Sequence, residues 1–222
     1  LRISAGDNFT VAVDEDGNVW GWGDNSKGQL NADPKDRHSS EFPIMLMDNT
    51  EYGRFIAVAT GAEHVIAVTE NGVVYSWGDN TYGQLSRRGE TSTYVDGENK
   101  PLNCYPAGKM MGFTSTPLNN VMDVAATASS SAVLLTNGTV WTIGSNAHGE
   151  MGAGLPCQIP DPEDDDRLID NKSENWVRVE KSARAVDALG NEVPSEEIVN
   201  VNRILGRGYN FAIITEAKTA YT

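Results

Sequence analysis

Apolar and polar residues alternate along most of this chain in short runs, and glycine or an Asx-Gly pair closes each run. Arg2-Ile3-Ser4-Ala5 ends at Gly6, Phe9 to Val13 ends at Asp16-Gly17, and Val19 to Trp22 ends at Gly23. Short runs between such punctuation predict β-strands, and Asp-Gly supplies the positive φ that a tight hairpin needs. The same reading predicts strands over 42–47, 55–59, 64–68, 73–77 and 176–180, while 121–126 and 198–205 lead into the third and fourth units. Pro43 confines the first of these to an edge or a strand start. No helical period persists beyond a turn or two, so the expected class is all-β.

The pattern recurs. Val19-Trp20-Gly21-Trp22-Gly23-Asp24-Asn25-Ser26-Lys27-Gly28-Gln29-Leu30 returns as Val74-Tyr75-Ser76-Trp77-Gly78-Asp79-Asn80-Thr81-Tyr82-Gly83-Gln84-Leu85. A more degraded copy runs from Val140 through Trp141, Gly144, Asn146 and Gly149 to Met151. Upstream, Gly6 to Gly17 matches Gly61 to Gly72, a third copy spans Thr127 to Gly138, and a fourth begins at Gly206. Units of about 3–30, 55–85, 121–152 and 198–222 are therefore expected, with insertions at 31–54, 86–120 and 153–197. A repeat with this spacing marks an array of equivalent units. Gly6, Gly61 and Gly206, then Gly23, Gly78 and Gly144, then Gly28, Gly83 and Gly149 are its backbone markers. Asn25, Asn80 and Asn146 are expected to hold turns. Trp22 and Trp77 are expected in the core, since Ile143 replaces them in the third copy.

These residues resemble the regulator of chromosome condensation repeat: a Gly, an apolar strand, Asp/Asn-Gly, Val-aromatic, Trp-Gly, Asn and Gly-Gln-Leu. The final Gly of that pattern is replaced by Asn31 and Ser86 in the first two copies and is present as Gly152 in the third. The resemblance implies four-stranded units stacked radially as propeller blades, in a ring that usually has seven. Three fairly complete units and part of a fourth make an open arc. With Leu1 first and no signal-peptide pattern, the chain reads as a fragment whose remaining blades belong to the same protein.

Composition narrows the partners. The 222 residues carry a net charge of −14, which repels phosphate backbones and disfavours nucleic acid or anionic membranes. No apolar run reaches the ~18–20 residues of a membrane span, so no membrane insertion is expected. Cys104 and Cys157 belong to no Cys-x-x-Cys pair, which argues against zinc. No cofactor or metal is predicted.

Candidate chemistry reduces largely to packing and turns. His64 shares its repeat position with Phe9 and Tyr209, which marks a packing site rather than a general base. Gly17 follows Asp16 too closely for a calcium-binding hand. The acidic run from Asp161 to Asp170 reads as a solvated loop. An Asp-box of the sialidase kind is not the repeat. No catalytic residue is assigned.

The expected role is a non-catalytic protein-binding scaffold. The resembled family includes exchange factors for small GTPases, ubiquitin-ligase modules, a photoreceptor and secreted inhibitors, so the fold alone licenses no single activity. Guanine-nucleotide exchange is the first alternative and carbohydrate processing the second. The long, unequal insertions favour, by analogy, an extracellular or cell-surface relative. The expected docking face carries the segments after Gly28, Gly83 and Gly149, centred on 86–120. Tyr82, Arg87, Arg88, Tyr94 and Tyr105 are its candidate contacts, because Tyr and Arg most often dominate binding energy.

Overall fold

The computed structural model describes residues 2–87, 89–112, 116–153, 155–162, 164–181, 196–198, 200–216 and 220–221. Blade 1 is an antiparallel sheet of β1 (Arg2–Ala5), β2 (Phe9–Val13), β3 (Val19–Asp24) and β4 (Ser39–Met47). A single helical turn, α1 (Asn49–Tyr52), leads into blade 2. That blade holds β5 (Phe55–Thr60), β6 (His64–Thr69), β7 (Val74–Asp79) and β8 (Cys104–Lys109). Blade 3 holds β9 (Val121–Ala126), β10 (Ser130–Leu135), β11 (Val140–Ser145) and β14 (Lys172–Arg178). Between β11 and β14 stands a separate hairpin, β12 (Gln158–Asp161) and β13 (Asp164–Asp170). A short pair, β15 (Glu180–Lys181) and β16 (Glu196–Glu197), precedes the last sheet of β17 (Val201–Arg207), β18 (Asn210–Thr215) and β19 (Ala220–Tyr221). The result is the all-β propeller arc that the repeat implied.

The period of two explains why the blades stack. In β6, Val65 and Ala67 pack against blade 1, while Ile66 and Val68 pack against blade 3. All four are fully buried, each larger side chain contributing about 1.5–3 kcal/mol. In β10, Val133 faces blade 2, while Ala132 and Leu134 face the last sheet. The hairpins turn at Gly17, Gly72 and Gly138, with φ of 88°, 75° and 78°.

The first strands β1, β5, β9 and β17 lie side by side at the inner rim. A relay of main-chain hydrogen bonds ties the blades there: Asp7 N to Ala62 O (3.2 Å), Ala62 N to Ala128 O (3.0 Å), Ala128 N to Gly208 O (2.6 Å). The approach is close enough to require glycine. A Cβ on Gly61 would stand 2.1 Å from the His64 ring and 2.5 Å from the Thr127 carbonyl.

Several expectations need correction. The outer strand of each of the first three blades comes from the segment between repeat units; β8 was not predicted at all. It pairs through a register shift between Ser76 and Gly78, which hides its alternation. The expected strand at 176–180 forms earlier, over Lys172–Arg178. Pro43 lies inside β4, where the strand bulges against Gly21 and Gly23 at the sheet edge. The acidic run is not a loop in its backbone. It forms the β12–β13 hairpin, in which Ile159 pairs with Ile169.

Trp77 is fully buried, but Trp22 is only half-buried. Trp77 packs into the core shared with blade 1, whereas no blade among the described residues stands over Trp22 in the same way. Tyr209 does not occupy the packing position either. The last hairpin turns one residue later in the repeat, at 208–209, so Phe211 pairs with Gly206 and is buried, while Tyr209 is 51% exposed. Residues 182–195 of the expected insertion at 153–197 lie outside the described residues.

Candidate functional site

The loops between the third and fourth strands of each blade gather on one face. They are held by side chains that the repeat encodes. Asn25 Oδ1 accepts from Leu30 N at 2.7 Å, and its Nδ2 donates to the carbonyls of Ala32 (3.0 Å) and Arg37 (2.6 Å). Asn146 does the same, accepting from Met151 N and donating to the carbonyls of Leu155 and Pro156. Gln29 and Gln84 brace their loops by donating to Asp24 and Asp79 and accepting from the main-chain N–H of Lys27 and Tyr82. These residues thus bond the segment that follows them, and not only their own backbone.

The segments between units overlap their neighbours. In the segment after Leu85, Tyr94 folds back onto blade 1, its ring against Gly28, and Lys35 Nζ donates to the Asp96 carbonyl at 2.5 Å. From blade 3, Glu174 packs over Gly83 and Lys172 Nζ donates to the Thr81 carbonyl at 3.4 Å. Between them lies a polar cleft of about 310 Å³, lined among others by Asn80, Thr81, Asn103, Tyr105, Lys172 and Glu174.

The predicted contact residues separate here. Tyr105 lines the cleft and is half-buried, its hydroxyl donating to the Glu90 carbonyl at 3.2 Å. Tyr82 is half-buried in the neighbouring loop. Arg87 lines the cleft, but its side chain is only 4% exposed. Its guanidinium lies on Gly108 and donates to the carbonyls of Ser76 (2.6 Å), Lys109 and Pro106. Arg87 therefore fastens β7 to β8 where their register slips. Burial pulls its pKa down, partly offset by Glu90. Tyr94 is buried, which raises its pKa. Arg88 lies outside the described residues. The sequence offered no sign of Lys172, Glu174 or Asn103, which reach the cleft from another blade or from the unpredicted approach to β8.

The groups whose chemistry could serve catalysis are engaged in structure. His64 is fully buried, with Nε2 3.0 Å from Ser131 Oγ; burial pushes its pKa down to about 4. The Asp14 carboxylate is raised by burial but lowered more by bonds from Asn18, Trp20 and Asp16, ending at about 2. Among the described residues, no group of three or more His, Cys, Asp or Glu is placed to hold a metal ion. No helix among them is long and apolar enough to cross a membrane.

Four-stranded sheets stacked about a common inner rim, with glycine-turned hairpins and Asn-braced outer loops, define a β-propeller of the repeat class. Models of the regulator of chromosome condensation (RCC1) repeat match residues 16–68 and 71–134, and again 2–29 and 55–84. The chain belongs to the RCC1 repeat family. It is 30% identical over 155 residues to the mitochondrial RCC1 domain-containing protein RUG3 of Arabidopsis thaliana, covering 69% of this chain and 31% of that one. It is 31% identical over 153 residues to the ultraviolet-B receptor UVR8 of the same plant, covering 69% and 31%. A Danio rerio protein RCC2 homolog is 28% identical over 143 residues, covering 64% and 26%. The chain thus spans under a third of the length of these relatives. Among solved structures, human WBSCR16 superposes with a TM-score of 0.61 at 21% identity, over 98% of this chain and 45% of that one. Yeast RCC1 (Prp20) in its complex with Kap60 gives 0.63 at 19% identity, over 99% and 42%.

Proposed function

We infer that this chain is a non-catalytic scaffold for protein–protein interaction, with its docking surface on the face that carries the long outer loops. One observation carries this reading. The repeat side chains brace the loops from below, while the segments that differ between blades lie together above them and enclose a polar cleft. A rigid frame presenting variable loops is how repeat proteins bind partners. Yeast RCC1, which shares the fold, was solved bound to Kap60; no partner for this chain follows from that.

The test is capture with the full chain, comparing the parent with Tyr82→Ser, Tyr105→Ser and Tyr209→Ser on the loop face and with Glu70→Lys on the opposite face. Proteins held by the parent and Glu70→Lys but lost from the loop-face variants are the expected result. The reverse pattern moves the surface to the hairpin-turn face. Accelerated nucleotide release from purified small GTPases would replace scaffolding with exchange activity.

A further inference from the structure

The three repeat asparagines differ in one respect. Asn25 and Asn146 each donate both amide protons to two carbonyls of the segment that follows them. Asn80 keeps the other half of the pattern: its Oδ1 accepts from Leu85 N at 2.9 Å, and its N–H donates to the Asn103 carbonyl at 2.7 Å. Among the described residues, its Nδ2 has no acceptor. The cause is the path of the chain. The segment that would cover Asn80 leaves instead for blade 1, where Tyr94 seats on Gly28 and Asp96 meets Lys35. The cleft of about 310 Å³ opens where that segment would have lain.

We propose that this cleft is a peptide slot, in which a turned segment of a protein partner takes the place that the chain's own segment takes beside Asn25 and Asn146. The proposal rests on the scaffold reading and specifies its partner. The recognising chemistry is that of main chain: an amide NH₂ fixed at its oxygen, its donors presented to two carbonyls of one segment. Those carbonyls lie five residues apart across a turn in blade 1, at Ala32 and Arg37, and are adjacent in blade 3, at Leu155 and Pro156, so a segment that turns, rather than a straight strand, brings both to the NH₂. Asn103, Thr81 and Tyr105 add polar side chains along the walls. The lining favours a polar segment over one anchored by a large apolar residue.

The probe is a displayed library of short random peptides selected on the full chain, with enriched peptides then made synthetically. Asn80→Asp keeps the oxygen that Leu85 N–H needs and replaces the donating NH₂ by an oxygen that repels carbonyls. It is expected to weaken the enriched peptides by about tenfold or more while melting close to the parent. Asn25→Asp and Asn146→Asp should lower the melting temperature clearly, since each strands two carbonyls. Asn103→Trp, which fills the cleft without altering the bonds of Asn80's side chain, should abolish binding independently. Failure to enrich any peptide, or unchanged affinity in both Asn80→Asp and Asn103→Trp, overturns the slot. If a captured partner is still lost from Tyr82→Ser or Tyr209→Ser yet held by Asn80→Asp and Asn103→Trp, the scaffold reading stands and the slot alone falls.

Discussion

The indole N–H of Trp77 donates to the carbonyl of Gln29 at 2.8 Å, across the boundary between blades 1 and 2. Gln29 itself braces the loop of blade 1. One residue pair thus links the core of one blade to the loop frame of the previous one.

Trp77→Ala is expected to destabilise the fold by about 3–5 kcal/mol. Trp77→Phe refills much of the space but strands a buried carbonyl, for about 1–3 kcal/mol. Trp22→Ala, at a half-buried site, should be milder than Trp77→Ala. Denaturant midpoints for the three variants check this order; equal losses at Trp22 and Trp77 would remove the distinction between the blades.

His64 gives a pH dependence with a definite sign. Its folded pKa of about 4 lies below the ordinary 6.5 because burial disfavours the imidazolium. The unfolded chain therefore binds more protons between these values, and stability falls as the pH drops from about 6.5 towards 4. The shift corresponds to a loss on the order of 3 kcal/mol. In His64→Phe, which mimics the Phe9 position of blade 1, that part of the slope should vanish. Stability curves from pH 7 to 4 for parent and variant would expose a shared slope if other groups were responsible.

Gly61→Ala should cost about 1–3 kcal/mol, because the new methyl meets the His64 ring and the Thr127 carbonyl at the inner rim. Gly97→Ala, with nothing within 4 Å of the added atom, should stay within about 0.5 kcal/mol. Thermal melts of the pair separate a close approach between blades from a general intolerance of glycine replacement.

The two thiols should differ in reactivity. Cys157 is exposed, whereas Cys104 is buried and burial pushes its pKa up to about 11. A thiol reagent at mildly alkaline pH should label Cys157 in the native protein and Cys104 only after unfolding. Rapid native labelling at Cys104, read by peptide mass, would show that the segment over β8 opens readily.

How much could be read in advance depended on how local the information was. The unbroken apolar run Val65–Val68 sufficed for a strand, and its burial on both faces follows because side chains alternate with the backbone pleat. The turn at Asn71-Gly72 followed from the positive φ that glycine tolerates. The recurrence of Trp-Gly and Asn-x-x-Gly was enough for a blade array, since equivalent residues in equivalent units make equivalent bonds. What the linear pattern does not contain is the cover of each site. Trp22 and Trp77 share a motif and differ in burial because, among the described residues, a neighbouring blade packs over Trp77 alone. Arg87 and Tyr94 look like free binding residues in sequence, yet a slipped register places carbonyls around one and Gly28 beneath the other. The cleft at Asn80 depends on a segment that goes elsewhere and on Lys172 and Glu174 arriving from the next blade. Strand and turn are decided by neighbours in the chain; burial, unpaired donors and clefts are decided by neighbours in space, and only the tertiary structure supplies those.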